Sequence, residues 1–153
     1  MWPETAEKAR IELAQLRRLI DYHQGLLTKV RTTEPDTTEM SALSAFLHSF
    51  YTGVESIFKR IATDVDGFLP AGERWHSGLI CAMSLATSKR QAVISEGLCA
   101  WIIKYMGFRH VFRHAYDFEL KWRKMSDLVL GAEEALDRLE VELKAFFEPE
   151  SRE

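Results

Sequence analysis

The stripe Ala9, Leu13, Leu16, Ile20, His23, Leu27 and Val30 advances in alternating steps of four and three residues. That is the period of an amphipathic α-helix, and it predicts one long first helix. Pro3 suits its first turn, where a missing N–H costs nothing. Thr32, Thr33 and Pro35 break the pattern, and Asp36 followed by Glu39 has the spacing of a capping box that opens a second helix. Leu43, Phe46, Phe50, Val54, Ile57 and Ile61 form its apolar face, and Asp66-Gly67 marks its end, with Pro70 and Gly72 beyond. Two long helices joined by a tight turn form an antiparallel hairpin. A shorter helix is expected over about 73–85, then a loop over 87–91. Ile94, Leu98, Trp101, Ile102 and Tyr105 mark a fourth helix. Leu120, Met125, Leu128, Ala132, Leu136, Leu139, Leu143 and Phe146 mark the last. No segment alternates with period two. The expectation is an all-α, four- to five-helix up-down bundle with a long N-terminal hairpin, one domain over 1–148 and a short disordered tail over 149–153.

A chain of 153 residues can bury a core without staples, and 46% hydrophobic with 28% charged residues is a globular balance. No run approaches the roughly 18 apolar residues of a membrane span, and the N-terminus MWPETAEKAR lacks the basic-then-apolar pattern of a secretion signal. A cytoplasmic protein with no membrane partner is expected. Cys81 and Cys99 have no CxxC partner and no histidine at zinc-finger spacing, so both read as small core residues. The net charge of −3 argues against a protein coating nucleic acid over its whole surface, but it conceals a segregation. Residues 104–124 hold six lysines and arginines against two acids, whereas 125–153 hold nine acids against three bases.

The basic segment contains MGFRHVFRHAYDFEL, with Arg109, His110, Arg113, His114 and Tyr116 inside eight positions. Arginine stays charged and grips phosphate bidentately, and histidine exchanges protons near neutral pH. Together they are a minimal kit for cleaving a phosphodiester. On a continuous helix Arg109, Arg113 and Tyr116 share one face, and His110, His114 and Asp117 share its neighbour. Phe108, Val111, Phe112 and Ala115 complete the circumference and can pack inward. Arg109 and His114 are five residues apart, about 140° on an ideal helix. They converge on one phosphate only if the helix is distorted or a second surface completes the site. On spacing alone a solvated helix face remains open beside the phosphate reading. A metal site does not fit well: HVFRH lacks the glutamate of HExxH and no third ligand is evident.

Arg109-x4-His114-x-Tyr116 resembles the R-x4-6-H signature of HEPN domains, and more closely the R-x4-H-x-Y form of HepT-like toxins encoded beside a minimal nucleotidyltransferase. The likeness is specific over roughly 94–128 and only architectural for the N-terminal hairpin. It implies a homodimer that brings two Arg/His segments into one metal-independent ribonuclease cleft, with no cofactor. Arg109 and His114 would be the catalytic pair. The position after the arginine makes His110 a secondary candidate, and Arg113 would contact RNA phosphate. Tyr116 would be where the nucleotidyltransferase antitoxin attaches AMP and silences the enzyme.

Lys121, Arg123 and Lys124 extend the basic strip and could guide RNA; a solvated face explains them equally. His23 reads as a buried or interface histidine, and His48, Trp75 and His76 as packing or edge residues. Glu133, Glu134, Asp137, Glu140 and Glu142 read as a solvent face. The alternative function is a non-catalytic helical subunit that docks nucleotide, RNA or a nucleotidyltransferase.

Overall fold

The apolar stripe of the first segment folds as helix, but in two pieces. The computed structural model describes residues 1–114, 116 and 120–149, apart from the side chains of Arg113 and His114. In it α1 spans Pro3–Tyr22 and α2 spans Gln24–Lys29, so the single long helix is divided at His23. The cause is local. His23 N–H is shared between the carbonyls of Leu19 and Ile20, and the ring Nδ1 donates to the Leu19 carbonyl at 2.9 Å. A side chain that competes for a backbone acceptor tightens the turn. Leu27 and Val30 are buried all the same, so the stripe continues through the break. The half-buried His23 ring packs against Phe46.

The capping box forms as the spacing predicts. Glu39 N–H donates to Asp36 Oδ1 at 2.8 Å and Asp36 N–H to Glu39 Oε1 at 3.0 Å, opening α3 over Thr37–Ile61. A single π-helical turn, Ala62–Asp66, extends α3 and closes on Gly67, whose φ of 84° lies in the left-handed region that glycine tolerates. Short α4 (Trp75–Met83), α5 (Glu96–His114) and α6 (Trp122–Phe147) follow. Among the described residues there is no strand. The all-α expectation holds, and the described residues form six α-helices, short α2 and α4 among them.

The central helix is α3, which packs on α1, α4, α5 and α6; α5 also packs on α4 and α6, and α1 on α6. α1 and α3 run antiparallel: Lys29 pairs with Glu39 near one end, and Thr5 donates to Asp64 at the other. Midway, a Cβ on Gly53 would stand 2.5 Å from Leu16 Cδ2, which explains a glycine inside a long helix. Cys99 is buried as expected, but Cys81 is exposed: Leu79, Ile80 and Met83 take the inner face of α4 and leave Cys81 outside. The acids of α6 are not all a solvent face. Asp137 and Glu140 pair with Arg17 at 2.7 and 3.1 Å, and Glu142 accepts from Ser95. Among the described residues no helix is long and apolar enough to cross a membrane. Residues 150–153 of the expected tail lie outside the described residues.

Candidate functional site

The segment that carries the Arg/His cluster is the second half of α5, and the rest of that helix holds it in place. Ser95 Oγ accepts the N–H of Leu98 at 3.1 Å, while Glu142 accepts Ser95 N–H at 2.6 Å, so the start of α5 is tied to α6. Leu98, Ile102, Tyr105 and Phe108 form its buried face. Tyr105 Oη donates to the Leu128 carbonyl at 2.7 Å, a second tie to α6. Phe108 stacks with Phe112, ring centroids 6.1 Å apart, carrying the apolar contact one turn further.

Arg109 follows Phe108 at the margin of this face and is half-buried; His110 is exposed. Val111 does not pack inward as expected: it is 51% exposed, because Phe108 and Phe112 occupy the core side. The helix is unbroken to His114. The five-residue spacing therefore keeps its angular separation of about 140° between Arg109 and His114 in one chain. The side chains of Arg113 and His114, and the whole of Ala115 and Asp117, lie outside the described residues. Tyr116 is 70% exposed and stands past the last helical residue. The helical step from Arg113 to Tyr116 therefore does not exist, and the expected shared face ends with the helix. Lys121 is the extended residue that precedes α6, and both it and Arg123 are exposed.

On α3 and α4 the structure brings together groups that spacing did not single out. Tyr51 and Glu55 are one turn apart on α3, both buried. His76 on α4 meets Glu55 through Nδ1 and Oε2 at 2.5 Å, and Lys59 approaches the other carboxylate oxygen at 3.7 Å. Trp75 stacks on His76 with centroids 3.7 Å apart, and Lys59 Nζ lies 4.7 Å above the indole. Burial first, then the Glu55 carboxylate, push the Tyr51 phenol far above its usual pKa, while the charge of Arg109 acts in the opposite direction. Glu55 is close enough to act on the phenol, but the contact falls short of hydrogen-bond geometry, so the hydroxyl counts as unpartnered among the described residues. His48, also on α3, rests its ring against Phe112 at 5.3 Å. His48 and Trp75 thus pack as expected, whereas His76 is bound to the Glu55 carboxylate. The periodic spacing of Tyr51 with core residues concealed it, and Glu55 looks like any helix-surface acid until α4 covers it.

Among the described residues no three His, Cys, Asp or Glu side chains gather at metal-binding range. A groove of about 590 Å³ between α1 and α6, lined by Leu13, Arg17, Leu143 and Phe147, sits at the far end of α6, roughly 25 Å along the helix from Arg123. It is separate from the Arg109 region.

A helical bundle with R-x4-H on its penultimate long helix is of the HEPN type. The chain belongs to the HepT-like protein family, whose model matches residues 42–149. The match begins within α3 and runs to the end of α6, leaving out α1 and α2. No curated protein and no solved structure matches the chain.

Proposed function

We propose that this chain is a metal-independent endoribonuclease toxin that works as a homodimer. Family membership supports the toxin and ribonuclease class at a coarse level. The observation that carries the finer reading is the unbroken course of α5 through His114, which leaves Arg109 and His114 on well-separated sides of one helix. A second copy, related by a two-fold axis, supplies the missing partner for each. Val111, exposed beside the cluster, is an apolar group that such a copy would cover.

In this reading Arg109 holds the scissile phosphate and stabilises the charge that builds on its oxygens in the transition state. The ribose 2′-OH attacks phosphorus and the 5′-oxygen leaves. The His114 of the other copy takes the proton from the 2′-OH and passes it to the leaving oxygen. Bond count and protons balance without water, giving a 2′,3′-cyclic phosphate and a 5′-OH. Arg113, His110, Lys121 and Arg123 contact the RNA backbone. A nucleotidyltransferase antitoxin attaches AMP to Tyr116, placing a phosphate next to the RNA site and repelling substrate.

The test is RNA cleavage in EDTA by the wild type, Arg109→Ala and His114→Ala proteins. Cleavage lost in both variants with the fold intact supports the assignment, and cleavage retained in both overturns it. Intact mass after co-expression with the partner transferase tests the control step. Additions of about 329 Da per AMP that vanish in Tyr116→Phe support it, and an unchanged mass in the wild type contradicts it.

A further inference from the structure

Buried polar atoms in folded proteins nearly always hold a hydrogen bond, because desolvating one without compensation is costly. Two fall short among the described residues, His48 Nδ1 and Tyr51 Oη. They are three apart on α3, one turn of the helix. Phe112 lies against the first, and Tyr105 lies against Phe50 beside the second, so Arg109, between Tyr105 and Phe112 on α5, runs level with Tyr51. One turn beyond Tyr51, the Glu55 carboxylate is clamped by His76 at 2.5 Å and Lys59 at 3.7 Å. Trp75, stacked on His76, immobilises that clamp. A buried phenol without a hydrogen bond thus stands one turn from a held carboxylate and level with the half-buried Arg109.

Packing does not account for the hydroxyl. Phenylalanine would fill the same space without burying an unpaired oxygen. Tyr105 provides the contrast, since its equally buried hydroxyl donates to the Leu128 carbonyl at 2.7 Å.

We propose that Tyr51 is the positioning residue for Arg109: its hydroxyl donates to the Glu55 carboxylate and accepts from the Arg109 guanidinium when that group turns to hold a phosphate. Glu55, fixed by His76 and Lys59, then braces the arginine from behind through Tyr51. A brace of this kind converts a flexible cation into an oriented one, which matters most where charge must be met at a defined place. This inference rests on the reading of Arg109 as the phosphate-holding group.

The experiment uses the full chain labelled with 15N-arginine. The Arg109 Nε–H signal, identified by its loss in Arg109→Lys, is followed during titration with inorganic phosphate, and kcat and KM are measured on a short oligoribonucleotide. In the wild type phosphate shifts and sharpens the Arg109 signal. In Tyr51→Phe the signal stays broad and kcat falls about tenfold, the worth of one hydrogen bond to a charged group, while KM changes little. Glu55→Gln, which can still accept the phenol proton, keeps part of the response, and Glu55→Ala loses it. Tyr105→Phe leaves both readouts alone.

A Tyr51→Phe protein with wild-type kcat and a wild-type Arg109 response overturns the inference, as does an Arg109 signal that phosphate never moves. If the wild type does not cleave RNA, the ribonuclease reading falls. The Arg109 signal then still decides whether Tyr51 positions the arginine.

Discussion

Arg90 and Asp66 close a two-pronged ion pair between the loop after α4 and the π-helical turn that ends α3. Nε reaches Oδ1 at 2.6 Å and Nη2 reaches Oδ2 at 2.9 Å. The remaining donors go to the carbonyls of Ala82, Leu85 and Gln91, and the arginine side chain has no exposed surface. One side chain therefore satisfies a carboxylate and three backbone acceptors. Removing one partner of a buried pair leaves the other charge uncompensated. Arg90→Ala should cost about 3–5 kcal/mol in urea unfolding. Arg90→Lys should recover little, since an ammonium cannot reproduce the planar fork. A loss below about 1 kcal/mol for Arg90→Ala would contradict this role, because that is the range of exposed pairs.

Gly53→Ala should destabilise the protein although alanine is the better helix former. Propensity favours the change by roughly 1 kcal/mol. The new methyl would meet Leu16 Cδ2 at 2.5 Å and Cγ at 3.0 Å, and Leu16 is itself packed in the core. Overpacking of that kind costs about 1–3 kcal/mol. A lower melting temperature is the expected result, and a higher one would mean that α1 moves aside freely.

The two fully buried tyrosines should respond oppositely to loss of their hydroxyls. Tyr105→Phe abandons the bond to the Leu128 carbonyl and should lose about 1 kcal/mol. Tyr51→Phe removes an unpartnered buried oxygen and should be neutral or stabilising. Alkaline pH adds a check. Burial, chiefly, raises both phenol pKa values in the fold. The unfolded chain releases those protons near pH 10 while the folded one keeps them. Stability from both groups is complete below about pH 10 and is lost as the pH rises beyond it. The double phenylalanine variant should show a shallower alkaline fall, and an unchanged fall would contradict the assignment.

The parts of the fold readable in the sequence are those written in periodicity. The stripes of α1, α3 and α6 bury the residues that their spacing selects, because one helix face must meet the core whatever covers it. The capping box at Asp36 and Glu39 was equally legible, being a contact between near neighbours. The break at His23 was not, since the apolar stripe runs on past it. Arg90, Glu55 and His76 were hidden for a different reason. A buried polar side chain has the same letter as a solvated one, and only tertiary packing shows that α4 and the loop after it meet Glu55 and Asp66. At the site, the cluster on α5 was visible by composition, but its α3 backing was not. Tyr116 is not helical and so leaves the face assigned to it.

Lys121 and Arg123, exposed at the start of α6, should act on RNA affinity rather than chemistry. Replacing either with alanine should raise KM, leave kcat nearly unchanged, and reduce the salt dependence of binding by about one unit of slope. A drop in kcat at constant KM would place them in the chemical step instead.

Complementation tests directly whether Arg109 of one chain works with His114 of another. Arg109→Ala and His114→Ala homodimers are each assayed for RNA cleavage in EDTA, then mixed, unfolded and refolded together. A mixed dimer carries one site with both residues intact, so activity absent from either parent should return to roughly a quarter of wild type. A mixture as inactive as its parents, with mixed dimers present by native mass spectrometry, would contradict a site shared between two chains.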